Sequence, residues 1–168
     1  MSLTLINSPG LATSNAYSSL STCALYISEN IHITATWSSL STINQTACII
    51  YATSLIDEQM DWIGTKNSTT QSLDWPRDNV VDKNDEDVTS TDIPIDLQRG
   101  TSFMAYFPSQ DDRTSDSDTF GFKSIKAGSL AMVIDKYDRT PTMPNSVWQM
   151  LLPYGTKMAS LPRTLERK

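Results

Sequence analysis

One stretch limits the fold more than any other: residues 41–59 carry apolar side chains at the spacing of a single helix face. The apolar positions are Ile43, Ala47, Ile50, Tyr51 and Leu55. Because residues three or four apart lie on the same side of an α-helix, this spacing predicts a long helix with that row buried. Ser41 is positioned to cap its start, and Gly64 suits the chain reversal that ends it.

Shorter elements are predicted on either side of that helix. Ser19 is a candidate cap for a first helix, whereas the alternating residues 32–37 favour a short strand or an irregular loop. A third helix opens near Pro94, since proline is tolerated in the first turn, and the sequence predicts that Pro108 ends it. Gly100 inside that helix indicates the close approach of another backbone. A last short helix starts at Pro144.

Residues 120–136 are predicted to form a β-hairpin, because two apolar runs flank Ala127-Gly128. The predicted fold class is therefore mainly α: a small helical bundle of about four helices with one β-hairpin and extended N- and C-terminal arms. We expect an N-terminal arm over residues 1–17, a helical domain over 18–155 and a basic C-terminal tail over 156–168. A domain of this size can bury a core without disulfide or metal staples.

The net charge of −6 comes from one segment, because residues 74–96 hold eight acids and two bases. Four of these acids lie close together: Asp82, Asp85, Glu86 and Asp87. The basic side chains cluster only in the tail: Lys157, Arg163, Arg167 and Lys168. A protein that grips DNA phosphates normally presents a basic face, which this sequence does not indicate.

The residues that catalysis or metal binding would need are not grouped in the sequence. His32 is the single histidine, and the six glycines are isolated from one another, so a catalytic triad or a phosphate loop is not expected. Cys23 and Cys48 lack metal or redox spacing. We favour reduced thiols, but a disulfide stays open, since it needs only Cα atoms within about 7 Å.

The acidic segment partly matches a calcium-binding loop starting at Asp82. An EF-hand needs glycine at its sixth position and glutamate at its twelfth, where this chain has Asp87 and Ile93. A solvated acidic loop is the favoured interpretation. We expect no enzyme, no cofactor and no metal site. No signal peptide and no membrane span is expected either, because no apolar run approaches the roughly 20 residues that a bilayer requires.

Several motifs, taken in order, resemble a family of tailed-phage proteins over about residues 15–155. The most specific is Trp62-x-Gly64 followed by Leu73-x-Trp75-Pro76-Arg77, and Asp92-Ile93-Pro94 comes next. This pattern is similar to the head–tail connector (adaptor) family, some members of which carry the label DnaT-like single-stranded DNA-binding protein.

The resemblance implies a subunit of a ring, with twelve copies, that docks beneath the portal at the capsid vertex. It implies contact with the portal and with a downstream neck or tail protein, in a virion assembled in the bacterial cytoplasm. DNA would pass through the ring without sequence-specific binding. We expect the acidic segment from Asp82 to Asp87 to face the channel, and the tail from Lys157 to Lys168 to contact the portal.

Two other functions stay open. A single-stranded DNA-binding replication accessory would match the label that some members carry. The composition of this chain is equally compatible with another neck protein, such as a tail-completion or stopper protein. Composition does not distinguish another neck protein from an adaptor, and the motif match is what favours the adaptor.

Overall fold

The computed structural model describes residues 3–115 and 140–158, and the backbone of 124–127 and 130–133. Five α-helices occur in these residues: α1 Leu20–Ser28, α2 Thr34–Ser39, α3 Thr42–Gln59, α4 Ile95–Tyr106 and α5 Asn145–Leu151. Six short strands accompany them: β1 Met60–Trp62, β2 Thr65–Lys66, β3 Arg77–Asp78, β4 Ser124–Ala127, β5 Leu130–Val133 and β6 Gly155–Lys157.

Helix α4 is the centre of the bundle and packs against α1, α3 and α5. Its buried positions include Leu97, Thr101 and Met104. Gly100 lets α5 approach closely, because a Cβ at this position would lie 3.3 Å from the Leu151 side chain. The predicted close approach at Gly100 is thus to side chains of α5. No backbone atom of another element is among the nearest neighbours.

Serine caps start the two helices for which they were predicted. The Ser19 hydroxyl accepts a hydrogen bond from the Thr22 N–H at 3.0 Å, at the start of α1. The Ser41 hydroxyl accepts one from the Asn44 N–H at 3.3 Å, at the start of α3. These caps satisfy N–H groups that a helix leaves without an internal partner. Both starts are confirmed to within one residue.

Three two-stranded antiparallel sheets lie among the described residues. β1 pairs with β6 in the register that sets Trp62 opposite Gly155, and β2 pairs with β3 with Thr65 opposite Asp78. β4 and β5 pair with Ser124 opposite Val133, in the stretch predicted to form a hairpin. The β1–β6 pair matters most for the site, because it joins the end of α3 to the segment that follows α5.

The predicted fold class is wrong in its element count and in its arms. The described part of the chain has five α-helices and three two-stranded sheets, against about four helices and one hairpin. The N-terminal segment is not an extended arm: Asn15 bonds the Ile6 N–H at 2.8 Å, and Leu5 packs against the core. At the other end, residues 155–157 form β6. Long-range pairing of these kinds leaves no periodic signal in a sequence.

One local prediction is also corrected, and one is confirmed. Residues 34–39 form α2 where a strand or loop was expected, because Thr34 satisfies the carbonyls of Ile27 and Asn30 with its hydroxyl and Trp37 is buried. The predicted end of the third helix at Pro108 is confirmed, because α4 ends at Tyr106 and the chain continues as a 3-10 turn over Phe107–Ser109.

The predicted length of α3 is confirmed, but the predicted buried row is rotated. Of the predicted row, Leu55 is buried and Ile50 is half-buried, whereas Ile43, Ala47 and Tyr51 are exposed. The other buried apolar residues of α3 are Ile49, Ala52 and Ile56. Apolar residues occur on more than one side of this helix, so spacing alone could not select the face that packs. No helix in the described ranges is long and apolar enough to cross a membrane.

Candidate functional site

The motif residues of the sequence meet around the buried indole of Trp75. Trp75 is 1% exposed, and its ring contacts Trp62 and Tyr154 edge to face, with ring centres 5.7 Å and 5.6 Å apart. Such T-shaped pairs are a preferred geometry for aromatic rings. The β1–β6 pairing delivers Tyr154 to this place, because it directly precedes β6. We call the group of Tyr17, Asp57, Trp62, Gly64, Trp75, Pro76, Arg77 and Tyr154 the tryptophan corner.

Arg77 uses its guanidinium entirely on main-chain oxygens of the corner. Its Nε donates to the Ile63 carbonyl at 2.7 Å, and one terminal nitrogen donates to the Gly64 carbonyl at 2.8 Å. The same nitrogen lies 3.4 Å from the Trp62 carbonyl, and the other lies 3.3 Å from that of Asp74. Arginine is suited to such a cluster of acceptors because its N–H groups form a rigid fork. The side chain therefore ties two loops together.

Gly64 makes this arrangement sterically possible. Its φ is +72°, in the left-handed region that favours glycine. A Cβ there would overlap the Asp78 carbonyl oxygen and would come within 2.7 Å of the Val80 side chain. The glycine serves the turn between β1 and β2. It does not end α3, as was predicted, since that helix ends at Gln59.

A buried tyrosine and a carboxyl group connect the corner to the N-terminal segment. The Tyr17 hydroxyl donates to Asp57, with O–O distances of 2.6 Å and 2.8 Å to the two carboxyl oxygens. It accepts from the main-chain N–H groups of Asp74 at 3.0 Å and Trp75 at 3.3 Å. The Trp62 indole N–H adds a bond to Asp57 at 3.2 Å. All the hydrogen-bonding capacity of the hydroxyl is therefore used.

Burial raises the pKa of Asp57 to about 7. The hydrogen bond from Tyr17 opposes this by favouring the ionised form, and the nearby charge of Asp74 adds to the increase. Burial, with the charge of Asp57, also raises the pKa of Tyr17 well above its ordinary value. Neither group is paired with a cation in the described structure, although Lys66 bridges to Asp74 at 2.8 Å.

The remaining motif residues have structural positions. Leu73 is partly buried against the core, Pro76 is buried behind Trp75, and Pro94 is the N-terminal cap residue of α4. Neither Tyr17 nor Asp57 was predicted as a site residue. The available signal was Asp57 itself, a carboxylate directly after the apolar Ile56 on a helix whose first 15 residues carry no charge.

The acidic segment forms an exposed loop closed by a bridge between Val81 and Asp87. Asp82 accepts from the Asn84 N–H at 2.7 Å and the Glu86 N–H at 3.1 Å, and these main-chain bonds lower its pKa. Asp85 has a φ of +61°. The Asp82 carboxylate thus organises this loop. The described residues hold no group of three or more His, Cys, Asp or Glu side chains arranged for a metal.

Among the described residues, two aromatic rings outside the corner each lie next to a cationic side chain. The Arg113 guanidinium lies 3.9 Å from the centre of the Phe107 ring, and the Lys157 ammonium lies 5.7 Å from that of Trp148. Of the predicted portal-contacting tail, only Lys157 is described, in β6. Arg163, Arg167 and Lys168 fall outside the described residues.

The cysteines and the histidine are not assembled for chemistry. Cys23 and Cys48 are both free, and burial raises the pKa of the Cys23 thiol to about 12, which disfavours the reactive thiolate. His32 is exposed after the end of α1. What the geometry defines is a small α-rich domain in which an aromatic corner fixes two loops and both terminal segments.

Comparison with known families places the chain in one of them. Residues 1–166 match the family described as "Putative DnaT-like ssDNA binding protein", and the chain belongs to that family. No significant match was found among curated proteins or among solved structures. The family description names single-stranded DNA binding and does not name a phage connector.

Proposed function

We propose that this chain is a non-enzymatic structural subunit of a tailed phage, a head–tail connector that works as one copy in a ring. The observation that carries the proposal is the excess of acidic side chains among the described residues. Among the side chains of residues 3–115 and 140–158, acids outnumber bases by 14 to 6. A protein held by neighbouring proteins around passing DNA needs no phosphate grip, whereas a DNA-binding protein depends on one.

The described cations support the same proposal because most of them are already engaged. Arg77 bonds main-chain carbonyls, and Lys66 pairs with Asp74. Arg113 and Lys157 lie over aromatic rings. Releasing any of these for a phosphate would cost the contact it now makes. The motif that carries the resemblance to connectors is likewise used for internal packing around Trp75.

The ring, its twelve copies and its neighbours are part of this proposal. The subunit would contact the portal and a downstream neck or tail protein, and would be located in the virion neck. The exposed loop from Asp82 to Asp87 would line the channel, where like charge keeps the phosphate backbone from adhering. A tail-completion or stopper protein is the nearest structural alternative.

Binding of single-stranded DNA is the second candidate, and the description of the matched family supports it directly. Two features of the chain would serve it. The pairs Phe107–Arg113 and Trp148–Lys157 combine a ring with a cation, as base-stacking sites do, and the C-terminal residues after 158 add Arg163, Arg167 and Lys168.

One pair of measurements separates the two candidates. The full chain is mixed with the portal protein of the same phage and imaged by negative-stain electron microscopy, and a ring stacked on the portal is expected. In parallel, fluorescence anisotropy with a labelled thymidine oligonucleotide at 50 mM salt is expected to show no binding at micromolar protein. Salt-sensitive micromolar binding, with no complex on the portal, would favour the second candidate instead.

A further inference from the structure

One hydroxyl group joins three segments of the tryptophan corner. The Tyr17 hydroxyl lies 2.6 Å and 2.8 Å from the two carboxyl oxygens of Asp57, near the end of α3. It also accepts from the main-chain N–H groups of Asp74 and Trp75, in the loop between β2 and β3. Tyr17 itself is 1% exposed. This side chain therefore shields the Asp57 carboxyl group from water and links the N-terminal segment to α3 and to the loop.

The N-terminal segment, residues 3–17, has few other attachments to the rest of the described chain. Its buried residues are Ser14, Ala16 and Tyr17, and its remaining residues are exposed or half-buried. It contains no Asp, Glu, Lys or Arg, so no salt bridge holds it. Apart from those of Tyr17, its hydrogen bonds to other described segments come from Ser72, which bonds the carbonyls of Leu11 and Ser14. A segment with so little buried surface can open at a lower free energy than the helical core.

The Asp57 carboxyl group lacks a cationic partner among the described residues. Its side-chain donors are neutral: the Tyr17 hydroxyl and the Trp62 indole N–H. The cations of the adjoining strands are engaged elsewhere. Lys66 of β2 bonds another carboxylate at 2.8 Å, and Arg77 of β3 bonds main-chain carbonyls. A negative charge on Asp57 is therefore not compensated while the N-terminal segment covers it.

The other ionisable side chains on the segments that contact Asp57 are acids and the tyrosine: Tyr17, Glu58, Asp61 and Asp74. Glu58 and Asp61 are exposed, whereas the charge of Asp74 adds to the increase in the pKa of Asp57. An ionised Asp57 thus faces a like charge across a buried contact. Access to water would stabilise this charge, and the segment that can open to admit water is the N-terminal one.

We infer that residues 3–17 are a pH-sensitive strap, which lies closed over Asp57 while this carboxyl group is protonated and is released when the group ionises. The release is local, because Trp75 and α4 keep their places in the core. The strap is independent of the proposed connector role, so either can fail without the other.

The direction follows from where the proton is bound. Burial raises the pKa of Asp57 to about 7 in the closed chain, whereas water in the released state returns it towards the ordinary value of 3.8. Between these values the closed state holds a proton that the released state has lost. Closure is therefore strongest at low pH and weakens as pH rises towards 7. From pH 5 to pH 8.5 the equilibrium shifts towards release by at most about a hundredfold.

The test is hydrogen–deuterium exchange of the full chain, followed by mass spectrometry, for wild type and Asp57→Asn at pH 5 and pH 8.5. Peptides that cover residues 3–17 have the same sequence in both proteins, so the chemical exchange rate at each pH cancels in their ratio. From pH 5 to pH 8.5, exchange in wild type relative to the variant is expected to rise by about tenfold to a hundredfold. Asp61→Asn is the matched control, since Asp61 is exposed on β1, and it should behave like wild type.

Low concentrations of urea, below the unfolding transition, distinguish release of the strap from unfolding of the whole chain. Exchange in residues 3–17 is expected to be nearly independent of urea, whereas exchange in α4 should accelerate, because global unfolding exposes far more surface. Asp57→Ser, a second variant without the ionisable group, should match Asp57→Asn, and circular dichroism establishes that each variant is folded.

An equal pH response in wild type and in the two Asp57 variants would overturn the inference. So would an Asp61→Asn variant that loses the response as they do. Exchange in residues 3–17 that rises with urea as steeply as exchange in α4 would also overturn it, because the opening would then be global.

Discussion

The buried carboxyl group of Asp57 makes the stability of this protein depend on pH in an unusual direction. Burial raises its pKa in the folded chain from 3.8 to about 7. Between these two values the unfolded chain is ionised while the folded chain keeps its proton, so the folded state binds more protons. Stability from this group is therefore present at low pH and is lost as pH rises towards 7.

The size of the effect follows from the same two values. Each pKa unit corresponds to about 1.4 kcal/mol, so raising pH from 5 to 8.5 costs at most about 3 kcal/mol through this one group. The figure is an upper bound because Asp57 keeps part of its surface in water. Asp57→Asn removes the ionisation, and its amide oxygen can still accept from the Tyr17 hydroxyl and the Trp62 indole, which both bond Oδ1.

The assay is urea unfolding of wild type and Asp57→Asn at pH 5 and pH 8.5, followed by tryptophan fluorescence. The difference in unfolding free energy should shift in favour of the variant by about 2–3 kcal/mol between the two pH values. Taking the difference cancels the other titrating groups. Asp61→Asn is the control, since Asp61 is exposed on β1 and should show no such shift. An equal pH response in wild type and Asp57→Asn would refute the reasoning.

Substitutions at three positions test the tryptophan corner by urea unfolding. Gly64→Ala should destabilise by roughly 2 kcal/mol or more, because φ is +72° and the new Cβ meets the Asp78 carbonyl; wild-type stability would contradict this turn. Arg77→Met should cost roughly 2 kcal/mol, since it leaves several carbonyls unpaired, and Arg77→Lys should lie between it and wild type. Tyr17→Phe should cost roughly 2 kcal/mol at pH 8.5, because the ionised Asp57 then loses one of its two side-chain donors and keeps only the Trp62 indole; an unchanged midpoint would be inconsistent with the network.

The starts of α1 and α3 could be predicted because they depend only on residues that are neighbours in the sequence. Ser19 and Ser41 cap α1 and α3 because a hydroxyl before a helix accepts a free N–H, and this depends only on neighbouring residues. The burial of Trp75 in an otherwise polar loop has a similarly simple cause. A large indole in a polar loop has few alternatives to packing.

The strand pairing and the tryptophan corner could not be predicted, because they depend on contacts between residues that are distant in the sequence. The register of Met60 with Lys157 and the bond from Tyr17 to Asp57 join segments about 100 and 40 residues apart, and no local pattern encodes them. The prediction of which face of α3 is buried failed for another reason. Its apolar residues mark two faces, one for the core and one for the exposed row at Ile43, and spacing cannot rank them.

The central proposal, a connector subunit of the virion, is tested most directly by quantitative mass spectrometry of purified phage particles. Peptides of this chain are compared with those of the portal protein in particles and in infected cells. The connector predicts that the chain is in the particles at about one copy per portal subunit. A chain that is abundant in infected cells but absent from purified particles would contradict it, and would favour a role in the cell such as single-stranded DNA binding.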